Sequence, residues 1–135
     1  MKYFKKENVF PYEAFVQTSI EKYFEYQGYA LDNEGQVDLI AVKESDRWIV
    51  EAKGISEAIG TDFNTCIGQL VKSMVSDESK YAIAIPKHPK YKRQCLLLSS
   101  YFRELVQLYI LVVDDNGEVQ IIKPSMTIDD MSFSC

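Results

Sequence analysis

The sequence predicts an α/β fold, and three observations point there. Amphipathic stretches at helical spacing alternate with short apolar runs at strand spacing. Read along the chain, the order is helix, strand, strand, strand, helix, strand, helix, strand, strand. The 135 residues, 47% apolar and 26% charged, are ordinary globular usage, enough for one domain that buries a core without disulfides or metal. No internal repeat, linker or low-complexity segment divides the chain, so residues 1–135 are expected as a single domain, with 124–135 a loose tail.

Residues 11–27, "PYEAFVQTSIEKYFEYQ", open with a proline suited to a first helical turn and stop before Gly28, which suits a helix C-cap. At about 100° per residue, Phe15, Val16, Ile20, Tyr23 and Phe24 share one face; Glu13 falls roughly 60° from its centre and Glu21 about 140° away, so Glu13 is the acid nearer the interior. Residues 29–32 predict a short strand and "NEG" a turn. Two strands follow, at 36–42 and 47–53, joined by "KESD"; a loop of that length sets Val42 opposite Arg47 and, counting back, Asp38 opposite Glu51. Phe63, Ile67, Leu70, Val71 and Met74 recur at helical spacing within 61–76, with Thr61 or Asp62 as N-cap. "KYAIAIP" reads as a buried strand ended by Pro86, and 91–105 as one helix with an apolar middle. "QLYILVVDDNGEVQIIK" is strand, Asn-Gly turn and strand, a hairpin.

Composition narrows the function. No apolar run approaches the roughly 20 residues of a membrane span, and "MKYFKKENVF" has no apolar stretch long enough for a signal peptide, so a cytoplasmic location without membrane partners is expected. Cys66, Cys95 and Cys135 are odd in number and far apart, which fits neither a disulfide framework nor the close pairs of a zinc site; they read as free thiols. A net charge of −5 argues against a constitutive, non-specific nucleic-acid coat protein. Residues 79–103 nevertheless carry Lys80, Lys87, Lys90, Lys92, Arg93 and Arg103 with no acid. In that strip Lys87, Lys90, Lys92 and Arg93 are candidates for phosphate contacts, with Tyr91 among them to stack a base; a solvated helix start is the plainer reading.

The acids of the central hairpin carry the chemistry. In the expected register Asp38 and Glu51 are cross-strand neighbours on one face, about 5 Å apart, where like charges destabilise a sheet. Exposure to water, a protein cation or a bound metal ion would each compensate. Lys53 shares the face of Glu51, because strand side chains alternate. A divalent ion held by two carboxylates and a backbone carbonyl is the stronger electrostatic answer, and such a hard-cation site usually keeps waters and reaches a phosphate oxygen. That is a recipe for phosphodiester hydrolysis, with the Lys53 ammonium orienting the water or stabilising developing charge.

"VD" at Val37 and Asp38, "VEAKG" at residues 50–54, the inward Glu13 of the preceding helix and the "GQL" of the following one together resemble the PD-(D/E)xK nuclease superfamily, of restriction-endonuclease-like fold. The likeness spans roughly residues 11–86 and is nearest to the small Mrr-like and Holliday-junction-resolvase-like branches. It implies a mixed central β-sheet flanked by helices, Mg²⁺ with Mn²⁺ as substitute, and a nucleic-acid substrate, DNA above RNA. It further implies Asp38, Glu51 and the Ala52 carbonyl as metal ligands, Lys53 as the motif lysine, Glu13 as accessory acid and Gln69 as an active-site glutamine. Val37 departs from the pattern, standing where the motif's name has proline.

Plainer roles stand beside these. Glu13 is also a first-turn acid favoured by the helix dipole, and Gln69 lies about 130° from the apolar centre of its helix, where a surface glutamine belongs. Gly68 weakens a helix interior by roughly 1 kcal/mol relative to Ala, which hints at a close approach of backbone or ligand. His88, between two prolines, reads as a solvated loop residue, and Trp48 as core. The expected function is a magnesium-dependent endonuclease; the alternative is a catalytically inactive restriction-endonuclease-like binding or assembly module. A homodimer paired through the C-terminal hairpin edge, and a partner protein supplying specificity, are both compatible with the chain.

Overall fold

The computed structural model describes residues 8–32 and 37–128. The turn expected at 33–35, the first residue of the second strand, the chain's basic start, the far tail and Cys135 lie outside the described residues. The elements run α1 (Glu13–Tyr26), β1 (Ala30–Asp32), β2 (Leu39–Lys43), β3 (Asp46–Ala52), α2 (Ile59–Ser73), β4 (Lys80–Pro86), α3 (Pro89–Leu96), α4 (Ser100–Val106), β5 (Leu108–Val113) and β6 (Val119–Ile122). The strands form one sheet in sequence order, β1 to β6. β3, β4 and β5 are parallel, and the β1/β2, β2/β3 and β5/β6 pairs are antiparallel. The fold is thus α/β with a mixed central sheet flanked by helices, as expected.

Each face of the sheet is covered by a different set of helices. On one, Val16, Ile20 and Phe24 of α1 pack on Leu39, Ala41, Trp48, Val50, Ala52, Ala82, Ala84, Leu111 and Val113. These α1 residues are spaced at four, the stripe that a helix presents to a flat surface. Small residues dominate the strands beneath, Ala52, Ala82 and Ala84 letting the helix approach. On the other face, Phe63, Cys66 and Leu70 of α2 and Tyr91 and Cys95 of α3 cover Ile49, Ile83, Ile85, Ile110 and Val112. Trp48 is core, as its alternation implies.

Several boundaries differ from the sequence reading. α1 begins at Glu13 rather than Pro11, with Tyr12 as N-cap. α2 begins two residues before Thr61, at an Ala58 N-cap whose methyl side chain has no oxygen to offer the free N–H groups, and the Asp62 carboxylate, already inside the helix, accepts from the Ser56 hydroxyl at 2.5 Å rather than capping. The single helix expected over 91–105 is two, since the Ser99 hydroxyl accepts the Phe102 N–H and starts a new helix. His88 is not a bare loop residue: its Nδ1 accepts the Lys90 N–H and caps α3. No heavy atom approaches within 4 Å of where a Cβ on Gly68 would stand, so the close protein contact hinted there is absent among the described residues. The segment expected as a tail from 124 is described to Ile128, and that far it is held: the buried Arg103 guanidinium donates to the carbonyls of Lys123, Pro124 and Met126, and Ile128 joins the core.

Candidate active site

The β2–β3 turn fixes the site. Glu44 takes a positive φ of 56°, closing a two-residue turn that pairs Lys43 with Asp46 and carries Val42 opposite Arg47 and Leu39 opposite Val50. One further step along this register sets Asp38 facing Glu51. The Asp38 Oδ2 accepts the Ala52 backbone N–H at 2.8 Å, so this carboxylate reaches across the end of β3. From α1, the Gln17 amide donates to the Asp38 carbonyl at 3.0 Å and to the Glu21 carboxylate at 2.9 Å, fixing the chain where it enters β2. Val37, in the position of the motif's proline, packs beside Ile49 and Leu70.

Glu51 is only 3% exposed. Its side chain points to the α2 face, opposite to Val50 and Ala52, under the buried Cys66. Burial pushes its pKa up from the ordinary 4.5 to about 8, the hydrogen bond to the Asp38 carboxyl and the repulsion of the Asp38 charge push the same way, and the Lys53 ammonium pulls against them. Two carboxyl groups that share a hydrogen bond need a proton between them. Glu51 Oε2 nevertheless has no hydrogen-bond partner, which is costly for a buried oxygen. The pair is therefore short of positive charge, and Lys53 alone does not make up the deficit.

The remaining residues gather at the same end of the sheet. The Lys53 backbone N–H donates to the Ala84 carbonyl at 2.9 Å, continuing the parallel β3/β4 ladder one residue past the strand. Next to it the chain touches α1: the Ile55 N–H donates to the Pro11 carbonyl at 2.8 Å, and a Cβ on Gly54 would lie 2.1 Å from the Glu13 nitrogen. Only glycine permits that approach, which brings the first turn of α1 around the end of β3. The charge of Glu13 acts on Cys66 and Tyr91, and those of Asp38, Glu51 and Lys53 act on Cys66 as well; burial first, then these acids, raises the thiol far above its usual range. The Tyr91 hydroxyl donates to the Gly54 carbonyl at 2.7 Å, tying α3 to the residue after Lys53.

Gln69 is placed differently. It is exposed on α2, one turn beyond Cys66, its carbonyl accepts the Ser73 hydroxyl, and among the described residues its side chain makes no hydrogen bond to the acids. Lys87 follows β4, its N–H bonded to the Val113 carbonyl at 2.7 Å, while Lys90, Lys92 and Arg93 lie on α3. Sequence reasoning missed Gln17, Gly54 and the Tyr91 tie. Gln17 was within reach, standing one turn after Glu13 on the same face; the need for glycine at 54 depends on a packing that no local pattern announces.

Among the described residues no three His, Cys, Asp or Glu side chains gather into a metal-holding group. Two carboxylates and a backbone carbonyl still suit a hard cation whose other ligands are waters and phosphate oxygens, and the unpartnered Glu51 Oε2 is where such a cation would relieve the charge deficit.

No protein-family model matches the chain, and no curated protein does. Solved structures do resemble it. An XisH family protein from Nostoc punctiforme PCC 73102 is 20% identical with a TM-score of 0.56, the match covering 79% of this chain and 98% of that one. An fdxN element excision controlling factor protein from Anabaena variabilis is 18% identical with a TM-score of 0.55, over 81% of this chain and 98% of that one. No helix among the described residues is long and apolar enough to cross a membrane. What the chain shares with these two proteins is the fold, which is restriction-endonuclease-like.

Proposed function

We propose that this chain is a metal-dependent nuclease that hydrolyses phosphodiester bonds in DNA. The observation that carries the reading is the buried Asp38–Glu51 pair, with an unpartnered carboxylate oxygen and a lysine two residues on. Asp38, Glu51 and the Ala52 carbonyl would hold Mg²⁺ or Mn²⁺, which when bound neutralises phosphate charge and makes a bound water more acidic. Lys53 orients the attacking water or balances charge on the phosphate. Glu13, brought to the same end by Gly54, serves as the accessory acid. Gln69 completes the pocket only if the strand reaches the outer flank of α2. Excision of an element, the process that the Anabaena variabilis neighbour controls, is an event on nucleic acid, which favours the same substrate.

Purified chain is expected to cut DNA with Mg²⁺ or Mn²⁺, to stop in a chelator, and to lose cleavage in Asp38→Ala and Lys53→Ala while circular dichroism stays native. Intact single-stranded, duplex and branched DNA, and intact RNA, after incubation with either metal would count heavily against the reading. A second reading, a catalytically inactive binding or assembly module, is favoured by the net charge of −5. Calorimetric titration separates them, because the module takes up no Mg²⁺ or Mn²⁺ dependent on Asp38 and Glu51. β6, whose outer edge pairs with no other strand among the described residues, is our proposed contact for a homodimer or a specificity-supplying partner.

A further inference from the structure

The four cations at the start of α3 do not form one surface. Lys90, Arg93 and Gln94 line a cavity of ≈ 330 Å³ whose other wall is the connection from β3 into α2, residues 56–60. Positions 90, 93 and 94 are spaced at three and four, one face of a helix. Lys92 is not part of that lining, and neither is Lys87. The far wall begins three residues after Lys53. The near wall is anchored to the same place, since Tyr91, between Lys90 and Lys92, donates to the Gly54 carbonyl. The groove and the acid pair are therefore built on one continuous piece of chain.

We propose that this groove holds the sugar-phosphate backbone of the strand that flanks the acid pair, with Lys90 and Arg93 on neighbouring phosphates. The assignment rests on the nuclease reading and says on which side of the acids the strand runs. Residues three apart on a helix hold their Cβ atoms about 5–6 Å apart, so two long cationic side chains there can meet phosphates of adjacent nucleotides. The volume is at the bottom of the roughly 300–1,000 Å³ range of ligand pockets, which suits a length of backbone. Glu57 is the single acid in the lining, against two cations. An acidic peptide would also answer to two cations, but the groove wall begins three residues after Lys53 and its helix is tied to the Gly54 carbonyl, so the groove adjoins the end of β3 that carries the acids, where a phosphodiester strand serving them would run.

The test is fluorescence anisotropy on labelled single-stranded and duplex DNA over a series of KCl concentrations, with chelator present so that the strands stay intact. Wild type is compared with Lys90→Gln, Arg93→Gln and Lys92→Gln. All three positions are on the outer part of a short helix, and circular dichroism checks the fold. Lys90→Gln and Arg93→Gln are expected to weaken binding several-fold at fixed salt and to lower the slope of log K against log [KCl] by about 0.7 on single strands and 0.9 on duplex, while Lys92→Gln leaves both unchanged. Wild type that binds while both groove variants match it, or a Lys92→Gln loss as large as theirs, overturns the groove and leaves the nuclease reading standing. Wild type that binds neither DNA form overturns the groove, and the cleavage assay with Mg²⁺ or Mn²⁺ decides the nuclease reading separately. Polyglutamate that displaces the DNA at equal charge concentration, with the same dependence on Lys90 and Arg93, overturns the choice of nucleic acid.

Discussion

Glu51 keeps a carboxyl group almost wholly out of water beside a second one, an arrangement that disfavours the charged form on two counts. Its folded pKa of about 8 lies above the ordinary 4.5, so between those values the folded chain holds a proton that the unfolded chain has released. Stability from this group is complete below pH 4.5 and is lost as pH rises through 8. Urea denaturation of metal-free protein should therefore show a fall in stability from pH 5 to pH 8.5 that shrinks in Glu51→Gln. An equal fall in the variant would mean that some other group carries it. Gly54 makes a separate prediction. A methyl group 2.1 Å from the Glu13 nitrogen cannot be accommodated by rotating a side chain, so Gly54→Ala should cost about 1–3 kcal/mol, the range for forced overpacking, and should reduce cleavage in protein that remains folded. Unchanged stability in that variant would show that α1 does not pack against the end of β3 as described.

The hairpin that holds the acids was legible because its constraints are local: period two sets the faces, and the turn sets the register. α2 and the α3–α4 pair were misjudged at their ends for a different reason. Thr61 and Asp62 have N-cap chemistry, yet the carboxylate of Asp62 finds the Ser56 hydroxyl, a competitor visible only once the loop is folded. The Leu96, Leu97 and Leu98 run reads as the middle of a buried helix, but Leu97 is 74% exposed and the helix stops there. Ser99 then caps α4, and Ser99→Ala should cost about 1 kcal/mol, read as a lowered midpoint in thermal unfolding. On α2, Gly68 is exposed with open space around it, so Gly68→Ala should stabilise the chain by about 0.4–1 kcal/mol. Loss of cleavage in that more stable variant would mean that the missing side chain leaves room for substrate.

At the scale of the whole molecule, the parallel strands β3 and β4 end together where α1, α2 and α3 all begin, so the site's charges come from elements far apart in sequence. The sequence pattern could name Asp38, Glu51 and Lys53 from one hairpin and Glu13 from its face of α1, but the approach of the first turn of α1 to the end of β3 depends on the glycine at 54. In the proposed function, cation binding at this site would be coupled to global stability. A cation that binds only the folded chain stabilises it by RT ln(1 + [L]/Kd), about 2.7 kcal/mol at a hundredfold excess over Kd. It must also displace the proton held by the acid pair, so its grip strengthens as pH rises towards 8 and beyond. Mn²⁺ is therefore expected to raise the unfolding temperature clearly at pH 8.5 and far less at pH 5.5, reversing the loss of stability seen there without metal. Asp38→Asn and Glu51→Gln should each abolish the shift. A shift of the same size at both pH values, or one that survives both substitutions, would place the cation elsewhere on the molecule and remove the link between the charge deficit at Glu51 and the proposed chemistry.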